Sequence, residues 1–133
     1  MDLNVQSIAW LGVRTERYTE TVDFFGRVLG LRQEEHAPGI AVFKLPSGDT
    51  IEVFEPDEPD HAHFTTGPVA GFLVSDVEEA RTALEGEGVE LLGPVGRGAG
   101  MAWLHFRGPD GNVYELTQDA TRDPGGFMAD LPG

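Results

Sequence analysis

The feature that most constrains this chain is a stretch that occurs twice. Residues 40–54 read IAVFKLPSGDTIEVF and residues 103–117 read WLHFRGPDGNVYELT. At one constant offset Phe43 meets Phe106, Lys44 meets Arg107, Pro46 meets Pro109, Gly48 meets Gly111 and Glu52 meets Glu115. Each copy is an alternating run, a Pro-x-Gly turn and a second alternating run, which is the pattern of a β-hairpin. A repeat settles architecture before any single element does, and two copies are too few to stack as a solenoid. The expectation is a pseudo-symmetric domain built from two similar halves.

At 133 residues and 40% hydrophobic content the chain can bury one core, so the halves are expected to join in one domain. Nine Lys+Arg against 23 Asp+Glu leave a net charge of −14. That field repels phosphate backbones and anionic lipid, which argues against nucleic-acid and membrane partners. The absence of cysteine removes disulfides and thiolate chemistry and suits the cytoplasm. The opening MDLNVQSIAW carries no basic region leading into a long apolar run, and no stretch is long enough to span a bilayer.

In chain order, a strand is read over Ser7–Arg14, with Ala9, Leu11 and Val13 on one face and Ile8, Trp10, Gly12 and Arg14 on the other. A helix over 18–29 puts Val22, Phe25, Val28 and Leu29 on one stripe and stops at Gly30. Residues 31–36 read as a short strand, and the first hairpin completes a β-α-β-β-β order over 7–56. Residues 57–68 belong to an acidic, proline-rich run without periodicity and read as a linker. The order then restarts over 69–118. A strand over 69–74 is followed by Ser75-x-x-Glu78 as a capping box and by a helix burying Val77, Ala80 and Leu84. Gly86 and Gly88 end that helix; a strand over 89–92, a glycine-rich loop over 93–100 and the second hairpin follow. The tail, 119–133, carries Phe127, Met128 and Leu131 as groups able to dock.

Two β-α-β-β-β units with FFGRVLGL at 24–31 and GPDGNVYEL at 108–116 resemble the vicinal oxygen chelate superfamily of glyoxalases, bleomycin- and fosfomycin-resistance proteins and ring-cleaving dioxygenases. The resemblance covers residues 8–118. It implies an α+β fold in which the strands roll into a U-shaped half-barrel, with helices outside and the ligand in the trough. It also implies a metal ligand from the first strand of each half and a carboxylate from the last strand. The carboxylates are here as Glu52 and Glu115. Val69 stands at the first-strand position of the second half, and Ile8 or Trp10 at that of the first. None of these three can bind a metal. Two carboxylates alone make a poor divalent site, so no cofactor is expected, with Glu52 and Glu115 as the fallback ligands.

Strand parity sorts the rest. If Leu104 and Phe106 face a helix, Trp103, His105 and Arg107 face the trough. By the same rule Val42, Lys44, Thr50, Glu52 and Phe54 face it from the first half, and Val69, Gly71, Leu73, Val113, Glu115 and Thr117 from the second. Trp10, Arg14, Phe54, Leu73, Trp103, His105 and Arg107 are therefore the candidate ligand-binding residues. Structural roles compete with these: Glu52 and Glu115 could pair with Lys44, Arg107 or Arg14, and His61-x-His63 reads as solvated loop histidines rather than a chelate. Two functions follow. One is a metal-independent binder of a partly aromatic small molecule, for which bleomycin-type resistance proteins, with a cleft at a homodimer interface, are what the resemblance offers. The other is a glyoxalase-like lyase or isomerase with Glu115 or Glu52 as general base and Arg14, His105 or Arg107 steadying an oxyanion.

Overall fold

The two hairpin turns are closed by the same hydrogen bonds. Leu45 N–H donates to Asp49 O and Gly48 N–H to Leu45 O, both at 2.9 Å; at the equivalent places Gly108 N–H donates to Asn112 O at 2.9 Å and Gly111 N–H to Gly108 O at 3.0 Å. Gly48 and Gly111 take φ of 92° and 85°, a conformation that glycine adopts without strain. The sequence repeat is thus a repeat of backbone geometry.

The computed structural model describes residues 3–34 and 37–121. They divide into two compact units, one spanning residues 9–70 and the other the residues from 71 onward with the N-terminal residues up to Ile8. The first carries strands β1 (Ser7–Arg14) from Ala9 onward, β2 (Arg32–Glu34), β3 (Ile40–Lys44) and β4 (Thr50–Phe54), with helix α1 (Tyr18–Asp23) after β1. β4 pairs in parallel with β1 and antiparallel with β3, and β2 adds to β3. Ala41, Phe43 and Val53 are buried against Tyr18, Val22 and Phe25.

α1 is shorter than its pattern predicts. Phe24–Val28 forms a π-helical turn, closed by Leu29 N–H to Phe24 O at 2.9 Å. The wider turn inserts one residue into the helical period. Val22 and Phe25 stay on the core, while Val28 and Leu29 rotate off the expected stripe and are 53% and 52% exposed.

The linker is folded. Pro59–His61 makes a single 3-10 turn, and the Glu58 carboxylate accepts the Asp60 N–H. Phe64, the one large apolar residue of this acidic run, is buried.

The second unit carries β5 (Val69–Leu73) from Gly71 onward, α2 (Val77–Gly86), β6 (Glu90–Leu91), β7 (Gly96–Gly98), β8 (Met101–Arg107) and β9 (Val113–Asp119). β9 pairs in parallel with β5 and antiparallel with β8, which also takes β6 and β7. Val77, Ala80 and Leu84 of α2 pack on Ala102, Leu104 and Leu116, as the alternation predicts. The N-cap is Asp76, not Ser75: its carboxylate accepts the Glu78 and Glu79 N–H groups at 3.1 Å. β7 lies where a loop was expected, because Gly-Arg-Gly offers no alternating side chains to reveal a strand. Both units are α+β with the β-α-β-β-β order, to which the second adds β7. Among the described residues no helix is long and apolar enough to cross a membrane. His36 and the tail residues Phe127, Met128 and Leu131 lie outside the described residues.

Candidate functional site: two glutamates and their donors

The register identifies equivalent positions in the two modules. Gly12 on β1 lies opposite Glu52 on β4, and Gly71 on β5 lies opposite Glu115 on β9. Two residues earlier stand Trp10 and Val69. Trp10, not the 63% exposed Ile8, is therefore the counterpart of Val69.

In module one Trp10 is buried and lies across its own strand. A Cβ added at Gly12 would fall 2.1 Å from Trp10 Cη2, so only glycine leaves room for the indole. Trp10 Nε1–H donates to Glu52 Oε1 at 3.0 Å. Phe54 and Phe64 flank the indole, with ring centroids at 6.2 and 6.1 Å. His61 stacks on Phe54 at 3.7 Å with planes 12° apart, and its Nδ1 lies 2.5 Å from Glu58 Oε2. Arg14 is spent on the linker backbone: Nε and Nη2 donate to Pro56 O at 3.3 and 3.1 Å, and Nη1 to Phe64 O at 3.5 Å. His61 is thus a packing group rather than a solvated one. Spacing alone could not show this, but Phe64 gave a signal, since a lone phenylalanine in a polar run needs somewhere to go.

In module two His105 Nε2 lies 2.9 Å from Glu115 Oε1, and the two side chains are 6% and 5% exposed. Desolvation pushes the His105 pKa down from 6.5 to about 4, so the ring is neutral at pH 7. The ring nitrogen and the carboxyl oxygen share one hydrogen bond, and the tautomer of the ring sets its direction. Leu73, Val113 and Thr117 on the same face are buried. Trp103 is half-buried and lies on β7: a Cβ at Gly96 would fall 2.3 Å from its Nε1. Arg107 donates to Gly111 O at 2.9 Å and comes within 3.7 Å of Glu90.

The partners seen at the two glutamates differ from the cations weighed from the sequence. Glu52 meets an indole and Glu115 an imidazole, while Lys44 donates to Thr50 Oγ1 at 3.2 Å. A buried carboxylate needs hydrogen-bond donors, and a charged one is only one way to supply them.

A sequence profile of the Glyoxalase/Bleomycin resistance protein/Dioxygenase superfamily matches residues 7–116, which include both hairpins and both glutamates. The chain belongs to this superfamily. No curated protein matches it. Among solved structures, the Mn(II)-bound glyoxalase from Novosphingobium aromaticivorans is 20% identical with a TM-score of 0.68, over 87% of this chain and 40% of that one. Methylmalonyl-CoA epimerase from Mycobacterium tuberculosis is 21% identical with a TM-score of 0.65, over 87% and 89%. The Streptomyces coelicolor epimerase is 19% identical with a TM-score of 0.63, over 88% and 99%. At these identities the likeness is one of fold.

The manganese of the Novosphingobium protein makes a divalent ion the group to test against this superfamily member. Module one offers an indole and a carboxylate that already accepts an N–H. Module two offers an isopropyl group at Val69 and a carboxylate bonded to a buried imidazole. Among the described residues no three His, Cys, Asp or Glu gather in a way that could hold a metal ion.

Proposed function

We propose that this superfamily member is a metal-independent binding protein for a cationic, partly aromatic small molecule, of the kind that bleomycin-resistance proteins take. One observation carries the reading: the groups that chemistry would need are held by the chain itself. Proton abstraction beside a carbonyl requires a donor poised for the developing oxyanion. Arg14 donates to Pro56 and Phe64, Arg107 to Gly111, and His105 contacts Glu115. The donor set does not fit a divalent ion either, since Zn²⁺ and its neighbours want three or four N, S or O ligands.

Trp103 is the platform for the ligand ring, because Trp10 is covered by Phe64 whereas Trp103 is half-buried on a glycine floor. The charge of −14 draws a cation in. A homodimer in the cytoplasm completes the proposal. It is supported by the apolar exposure of Val5 and Ile8 and by the lack of cysteine.

A Trp10→Phe variant leaves Trp103 as the sole tryptophan emitter. In the presence of EDTA, metal-free bleomycin is expected to quench that emission saturably, with a Kd of micromolar order, roughly −8 kcal/mol. Absence of saturable quenching up to about 1 mM would remove the reading.

The His105–Glu115 contact supports a second reading, in which Glu115 is the general base of an epimerase-like or glyoxalase-like reaction. Deuterium uptake from D2O into methylmalonyl-CoA, lost in Glu115→Gln, would favour it over binding alone.

A further inference from the structure

We propose that residues 56–64 form a detachable strap, and that the Trp10–Phe54 surface beneath it is a latent site for an aromatic ring carrying a carbonyl group. The strap presents to module one what a ligand would present. The Phe64 ring packs on Trp10 and Phe54, and the His61 ring stacks on Phe54 at 3.7 Å. The carbonyls of Pro56 and Phe64 take the Arg14 guanidinium. Two rings and two carbonyls on an aromatic wall with one fixed cation is a recognition pattern, and here its occupant is the chain's own peptide.

The strap is built to open more cheaply than the strands it covers. It joins no strand ladder; its Glu58 and Phe64 N–H groups donate locally, to Glu55 O and His61 O at 3.1 and 3.0 Å, while Arg14 ties the Pro56 and Phe64 carbonyls to β1. Residues 65–68 beyond it are all exposed, and Gly67 takes φ of 111°, a natural pivot. Asp57 and Asp60 add like charge to a protein that is already strongly acidic, which opposes docking. Segments with local bonds, few buried rings and exposed flanks open without global unfolding.

Amide hydrogen exchange of the full chain tests detachment. The Glu58 and Phe64 amides are expected to exchange on the order of 100-fold faster than those of the β3–β4 ladder, by an opening insensitive to low urea. The site beneath is tested with Phe64→Ala in a Trp103→Phe background, where Trp10 is the sole emitter. N-acetyl-L-phenylalaninamide, which copies the ring and carbonyl that Phe64 supplies, is expected to shift Trp10 emission saturably in this variant and not with Phe64 intact. Arg14→Gln should weaken that response at least several-fold. Strap amides that exchange only together with the ladder would overturn the proposal, as would a folded Phe64→Ala protein that ignores the probe. If Phe64→Ala does not fold, the exchange result decides. The readout is Trp10, so failure here leaves the Trp103 ligand reading intact, and the converse also holds.

Discussion

Leu104→Ala is expected to cost about 2–5 kcal/mol of stability, while Trp103→Ala, one residue away, costs less and weakens ligand binding. The two side chains leave β8 on opposite faces. Leu104 is fully buried among Val77, Ala80, Leu84 and Leu116, so truncation opens a cavity that a closed helix–strand layer cannot collapse. Trp103 rests on the backbone at Gly96 and is half-buried, so its removal uncovers a glycine strand rather than emptying a core. If the ligand stacks there, Trp103→Ala should weaken bleomycin binding by roughly 1–3 kcal/mol, about 5- to 150-fold. Urea denaturation and ligand titration of both variants check this. Equal destabilisation by the two would make Trp103 a core residue and end its role as a platform.

The second large effect is a pH dependence carried by His105. Its folded pKa of about 4 lies below the 6.5 of an unfolded chain. Between these values the unfolded state binds a proton that the folded state refuses, so stability falls as pH drops from about 6.5 to about 4 and is fully restored above 6.5. The gap corresponds to about 3 kcal/mol. His105→Gln keeps a donor for Glu115 and cannot titrate. The stability difference between native protein and variant should therefore shift by about that amount between pH 7 and pH 4. Taking the difference also cancels the general relief of acidic repulsion on protonation. A difference that stays flat with pH would mean that burial leaves the His105 pKa at its unfolded value.

Much of this fold is legible because the repeat and the strand alternation are each read from many residues at once. The two hairpins, the parity of β8 and β9 and the buried stripe of α2 were all fixed by patterns that no single substitution could blur. What escaped reading lacked a pattern. The π-helical turn at Phe24–Val28 changes the helical period without changing composition, which is how Val28 and Leu29 came to be misplaced. β7 is two glycines around an arginine. Ser75 and Asp76 are both good caps, and only geometry chooses between them.

At the candidate site the sequence pointed to Glu52 and Glu115 and weighed cations as their partners, whereas the groups seen beside them are an indole and an imidazole. Charge suggested Lys44, Arg14 and Arg107, but a long cation on a strand is free to reach backbone carbonyls instead, and both arginines do. The groups that Glu52 and Glu115 meet are the Trp10 N–H and the His105 ring, which no charge count reveals. The pair His61-x-His63 was read as solvated because acids and prolines dominate the linker; the burial of Phe64 and the stacking of the His61 ring on Phe54 reverse that for His61.

Calorimetric titration of Mn²⁺ into chelator-stripped protein tests most directly whether the chain's own N–H donors stand where a metal would otherwise meet Glu52 and Glu115. With Trp10 and Val69 at the first-strand positions and each carboxylate hydrogen-bonded, no saturable binding tighter than about millimolar is expected, and the same holds for Zn²⁺ and Ni²⁺. A stoichiometric site of roughly micromolar affinity, abolished by Glu52→Gln or Glu115→Gln, would contradict it.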